Sequence, residues 1–273
     1  MAFRLGDNAY GKAEVRVVKV TRGPERHLLR DLTAHVTLRG EFEAVHVAGD
    51  NRGLPATDTM RNVVYGFAAD HSLSSLPDFA AALAGHFAGL GRVRHASVRL
   101  HEQPWERLEA HAWQRGAGGT RVHVAEADAL GVRHAGGIED LLVLRSSGSG
   151  FSGFDRDRYT TLPETEDRIL ATIVTADWDH SGVPAEDAWA ATRDTLLRAF
   201  TDHDSPSVQF TLHRMGVAAL EADPGLERIH LTLPNRHHLP VDVSRFGVED
   251  RGEVFHSTTE PFGLIEATVE RAR

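Results

Sequence analysis

Leu32-Thr-Ala-His-Val-Thr-Leu38 alternates strictly, placing Leu32, Ala34, Val36 and Leu38 on one face of an extended chain and polar residues on the other. A strand that buries one side and hydrates the other belongs to a half-buried antiparallel sheet. Upstream, Ala13-Glu-Val-Arg-Val-Val-Lys-Val20 is rich in β-branched residues and reads as a neighbouring strand. Downstream the period changes. Met60, Val63, Val64 and Phe67 recur at helical spacing, and Phe79, Leu83 and Phe87 repeat every fourth residue after Ser75 and Pro77, residues suited to a helix start. Ala96, Val98 and Leu100 return to period two, and Gly116-Ala-Gly-Gly119 separates them from another strand around Thr120-Arg-Val-His-Val124. The first half therefore reads strand, strand, helix, helix, strand, strand.

The second half repeats that order. Leu141-Leu-Val-Leu144 and Ile169-Leu-Ala-Thr-Ile-Val174 read as strands, Trp189, Leu196, Leu197 and Phe200 mark one helix, and Val208, Leu212 and Met215 another. Ile229, Leu231 and Leu233 alternate, and Val254 to Val269 holds a last strand-like stretch interrupted at Pro261-Phe-Gly. The pattern is a tandem ββααββ duplication with its junction near Arg133 to Gly137, giving units of residues 1–135 and 136–273. Eight strands with four helices on one face make an α+β fold.

Composition narrows the function. With 273 residues, 41% of them apolar, the chain is long enough for a well-buried core. No run approaches the roughly 20 apolar residues of a membrane span, and the N-terminus lacks a secretory core, so a cytoplasmic setting is expected. A net charge of −9 without a Lys/Arg-dominated tract argues against nucleic acid and for a small partner. The absence of cysteine removes disulfides, thiolate zinc sites and thiol nucleophiles. The 17 histidines are dispersed without ligand spacing, and most read as surface or sheet-face residues. Ser146-Ser-Gly-Ser-Gly-Phe-Ser-Gly153 is glycine-rich enough to suggest a phosphate nest, but it lacks the P-loop pattern and reads as a loop or bulged strand end.

Several segments hold residues able to do chemistry, each with a plainer reading beside it. Lys12, in Tyr10-Gly-Lys12, stands at the start of the first strand, where a solvated strand-end charge is the ordinary role. Thr57 and Asp58 precede the Met60 helix, as a cap and a dipole partner or as the mouth of an anion site. Arg168 follows Asp167, for an ion pair or for a two-pronged grip on a planar anion. Gln209 opens the Val208 helix, able to cap or to pair with an imide edge. Asn235 and His237, in Pro234-Asn-Arg-His-His238, lie at a strand end where they share a side unless Asn-Arg makes a turn.

Tyr10-Gly-Lys12, Ala56-Thr-Asp-Thr59, Phe151 through Arg168, Ser207-Val-Gln209 and Leu233-Pro-Asn-Arg-His237, in that order, resemble urate oxidase from end to end. The middle segment, Phe151-Ser-Gly-Phe154-Asp-Arg-Asp-Arg-Tyr159-Thr-Thr-Leu162-Pro-Glu-Thr-Glu-Asp167-Arg168, is the most specific. The resemblance implies two T-fold (tunnelling fold) units per subunit, a homotetramer with active sites at subunit interfaces, and oxidation of urate by O₂ and water to 5-hydroxyisourate and hydrogen peroxide, without metal or organic cofactor. It implies that Phe151 stacks on the purine and that Arg168, Gln209 and the Val208 backbone hold its polar edge, with Leu162 in the pocket wall. It further implies that Lys12, Thr57 and His237 relay protons, that Asn235 positions O₂ or water, and that Asp58 offers a backbone N–H; Lys12, Thr57 and Asp58 would come from a neighbouring subunit. Arg145 stands where the family usually has lysine, and Arg271-Ala-Arg273 is no peroxisomal address. The competing readings are a zinc-dependent T-fold enzyme acting on pterins and a purine-binding oligomer that does no oxidation.

Overall fold

The computed structural model describes residues 3–272. The chain divides into two compact units, one running to Gly137 and including Asp179–Trp189, the other comprising Ile138–Trp178 and Ala190 onward. In the first, β1 (Tyr10–Thr21) and β2 (Leu28–Gly40) precede a short α1 (Glu43–Ala48), then α2 (Thr57–Asp70) and α3 (Leu76–Ala88); β3 (Val93–Glu102), the hairpin β4 (Trp105–Glu109) and β5 (Ala112–Arg115), and β6 (Thr120–Asp128) follow. The sheet order is β1-β2-β3-β6, antiparallel throughout.

Periodicity sets this layer. Leu32, Ala34, Val36 and Leu38 are all buried, facing the same core as Ala96, Val98 and Leu100 and as Met60, Val64, Phe79, Leu83 and Phe87 of the helices. Each fully buried Leu or Phe side chain contributes about 1.5–3 kcal/mol. The start of α3 follows local chemistry: Ser75 accepts the Asp78 N–H at 3.2 Å, and Pro77 occupies the first turn, where no N–H is needed.

Beyond the apolar layer the same unit holds a polar one. Glu186 accepts hydrogen bonds from Arg121 at 2.6 and 3.1 Å, from Arg30 at 2.7 Å and from the Leu76 N–H that opens α3, at 2.8 Å. Burial raises the Glu186 pKa, but Arg121, this amide and Arg30 outweigh it and hold the carboxylate below its usual range. Arg30 also pairs with Glu102. Next to Arg121, His123 and His134 are buried and bonded to one another at 3.1 Å, exceptions among histidines expected to be mostly surface or sheet-face residues. Burial, then His134 and Arg121, push the His123 pKa down to about 3.

β7 (Gly131–Arg145) contains the division between units, so Arg133 to Gly137 continue a strand where the sequence had read a break. A run of small and polar residues resembles a turn only when its strand partners are unseen. In the second unit β8 (Leu170–His180), α4 (Ala188–Thr201), α5 (Val208–Ala222), β9 (Leu226–Thr232), β10 (His238–Pro240), β11 (Phe255–Ser257) and β12 (Glu266–Glu270) follow, with sheet order β7-β8-β9-β12 and a small β10–β11 ribbon. The two β-ribbons and α1 add to the eight strands and four helices expected. β4 and β11 are exposed along their whole length and α1 buries no residue, so none carries an alternating signal.

Candidate active site

In the first unit, Gly11 allows β1 to approach β2: a Cβ there would lie 1.8 Å from the Val36 carbonyl oxygen. The register then shifts between Lys12 and Val15, with Glu14 in the left-handed region at φ 57°. Such a bulge re-aims the side chains beside it. Lys12 is half-buried at this bulge, and its ammonium makes no hydrogen bond or ion pair to a described residue. Tyr10 packs edge-on against Phe42, and its hydroxyl donates to the Pro55 carbonyl at 3.3 Å. It therefore ties the strand that carries Lys12 to the turn that leads into Thr57.

Thr57 is not the helix cap. The N-cap is Ala56, extended and without a side-chain acceptor, and Thr57 is the first helical residue. Met60 is the first residue whose N–H reaches a helical carbonyl, that of Ala56 at 3.1 Å. The amides of Thr57, Asp58 and Thr59 thus remain at an exposed positive helix end. The Asp58 carboxylate turns back along α2 to pair with Arg61 at 2.7 Å.

In the second unit a short strap organises the other residues. Ser149 and Phe151 pair with the segment ahead of β8: the Phe151 N–H donates to the Thr165 carbonyl at 2.7 Å, and the Arg168 N–H donates to the Ser149 carbonyl at 2.7 Å. On its other side the strap binds Ser205, through Gly150 N–H to the Ser205 carbonyl and Ser205 N–H to the Gly148 carbonyl, both 2.8 Å. Ser205 leads directly to Ser207, whose hydroxyl caps α5 by accepting the Phe210 N–H at 3.2 Å. One element thereby connects Phe151, Arg168 and the first turn of α5, where Val208 is buried and Gln209 exposed.

Asp167 and Arg168 do not form an ion pair. The carboxylate of Asp167 binds the strap, while the Arg168 guanidinium lies 5.3 Å from the centre of the Phe151 ring with no hydrogen bond or ion pair to a described residue. Burial lowers its pKa. Phe151 also stacks on Phe154, ring centres 5.0 Å apart and nearly parallel. Asn235 is buried and lies in no turn: its N–H donates to the Gly263 carbonyl, Arg236 donates to Ala171, and Asn235 bridges to Thr172 near the start of β8. His237 is half-buried, its carbonyl accepting the Thr258 N–H at 2.9 Å. Leu162 stands apart on an exposed loop.

The sequence reading passed over the strap. The Gly148 and Ser149 amides do form a nest, but the anion it holds is the chain's own Asp167. Among the described residues no group of three or more His, Cys, Asp or Glu side chains is placed to hold a metal ion, and no helix is long and apolar enough to cross a membrane.

A family model described as Uricase matches residues 8–130 and again residues 134–266. The chain belongs to the uricase family. It is 44% identical over 272 residues to the uricase of Arthrobacter globiformis, covering 98% of this chain and 90% of that protein, and 38% identical over 280 residues to the uricase of Dictyostelium discoideum, covering 98% of each. The crystal structure of the Arthrobacter globiformis uricase superposes with a TM-score of 0.95 at 43% identity, covering 99% of this chain and 96% of that one. That of a uricase from Bacillus fastidious, at 23% identity and a TM-score of 0.82, shares the fold. The uricase fold here is the α+β tandem T-fold, with antiparallel sheets.

Proposed function

We propose that this protein is a urate oxidase, converting urate, O₂ and water to 5-hydroxyisourate and hydrogen peroxide. The observation that carries the reading, beside membership of the family, is the Arg168 guanidinium: half-buried, unpaired, set against an aromatic ring and connected to the open first turn of α5. A desolvated cation without an internal partner is ready for an external anion, and a guanidinium presents a planar fork to one. Phe151 would stack on the purine in place of its present neighbour, and Gln209 and the Val208 backbone would take the imide edge, with Leu162 closing the wall.

Lys12 and Thr57 stand as the proton-handling groups. The lysine is at a bulge and unpaired, the threonine hydroxyl is released from capping, and Tyr10 connects their elements. With His237 they relay protons to and from a water above the ring, Asn235 orients O₂ or that water, and Asp58 supplies an amide from the helix end. The reaction balances without a resident redox group: urate gives two electrons to O₂, which leaves as peroxide, and water supplies the new hydroxyl. We further propose that residues 1–135 and 136–273 are the two repeats, that four chains assemble with sites at their interfaces, Lys12, Thr57 and Asp58 reaching a neighbour's Arg168, and that the enzyme works in the cytoplasm.

The test is urate loss by ultraviolet absorbance in chelated buffer with peroxide followed in parallel. Equal amounts of urate lost and peroxide formed support the reading. A folded oligomer that binds urate without turnover would replace it with a purine-binding protein.

A further inference from the structure

The grip assigned to Arg168 needs something to aim it. No described residue bonds its guanidinium, so its position depends on the backbone at 167–168 and on the Phe151 ring. That backbone is held with unusual completeness. Asp167 Oδ1 accepts the Gly148 N–H at 2.7 Å and the Ser149 N–H at 3.4 Å, and Oδ2 accepts the Ser147 hydroxyl at 2.7 Å. The Asp167 carbonyl accepts the Thr165 hydroxyl at 2.8 Å, and the Arg168 N–H donates to Ser149. Successive amides converge on one carboxylate because Gly148 is left-handed at φ +74°, the geometry of an anion nest.

We propose that Asp167 is a positioning residue for substrate binding: by filling the Gly148–Ser149 nest it fixes the peptide from which Arg168 reaches the purine. The inference rests on the reading of Arg168 as the substrate grip. Asp167 touches no substrate, so its removal should weaken binding and leave the chemical step alone. The Ser147 hydroxyl first, then the nest amides, hold its carboxylate below the usual range, so it stays charged through neutral pH.

A double-mutant cycle on the full-length enzyme tests this, using KM and kcat for urate and the dissociation constant of xanthine, a planar purine lacking the C8 oxygen, by calorimetry. Asp167→Asn keeps the volume but turns one acceptor into a donor facing donors. It is expected to raise KM and the xanthine dissociation constant by about fivefold or more with kcat within about twofold, and to have no further effect on xanthine binding in an Arg168→Ala background. An equal loss in both backgrounds would make Asp167 a general structural residue and overturn the proposal. Unchanged binding in Asp167→Asn, with Arg168→Ala impaired, would also overturn it. If Arg168→Ala itself binds normally, the grip reading fails, and the proposal with it. Should Asp167→Asn not fold, Ser147→Ala removes one of the three donors and is expected to give a smaller loss that likewise vanishes beside Arg168→Ala.

Discussion

Arg168 and Lys12 are both cations without internal anions, and their surroundings separate their tasks. Arg168 lies on an aromatic face beside a helix start, a place to hold a substrate, so Arg168→Ala should weaken xanthine binding by about tenfold or more, since a charged hydrogen bond contributes about 1.5–3 kcal/mol. Lys12 sits at a strand bulge, and Lys12→Met should cut kcat by about a hundredfold, within the usual range for general acid–base groups, while xanthine binding persists. Unaltered turnover would remove lysine from the relay. Gly11 permits a sharper test of backbone. The Val36 carbonyl leaves no room for a methyl group, so Gly11→Ala should lower the thermal midpoint by about 5–10 °C. At this scale the sequence was legible for residue type and blind to partnership: Asp167 next to Arg168 suggests an ion pair, yet the carboxylate turns to amides nearly twenty residues earlier, which no local spacing reveals.

Elements with strict periods were the readable ones. β2, β3, α2 and α3 each present one apolar face, and that face is buried. Where burial is absent the signal disappears: β4 is exposed throughout. Helix starts were legible in part, because Ser75 caps α3 while Ala56, before Thr57, caps nothing. Ser75→Ala is therefore expected to cost about 1 kcal/mol in urea unfolding, whereas Thr57→Val should leave stability nearly unchanged, since its hydroxyl stabilises no amide. Tyr10 joins β1 to the turn before α2, and partial burial raises its phenol pKa to about 12. The folded chain keeps that proton after the unfolded chain has lost it, so stability should fall as pH rises from about 10 toward 12. Tyr10→Phe should flatten that limb; an identical alkaline profile would show that another group sets it.

For the whole molecule the informative range of pH lies on the acid side. Neutral His123, with a pKa near 3 when folded and an ordinary value of 6.5 when not, stabilises the fold fully above pH 6.5 and progressively less as pH falls toward 3. Carboxylates such as Glu186 lose their contribution only lower, so urea midpoints compared at pH 7 and pH 5 report on the buried pair His123 and His134, whose pKa burial also lowers. His123→Gln should show a smaller drop between those two values than the parent chain. The composition gave no hint of this, because a count of histidines carries no information about which are buried. Residues 179–189 bear on descent as well as on stability. The segment between β8 and α4 lies in the first unit and delivers Glu186 to Arg30, Arg121 and the start of α3. A gene that joins the front half of this chain to the back half of a cousin therefore imports a foreign clasp, and the hybrid is expected to be less stable where that cousin brings no acid to position 186.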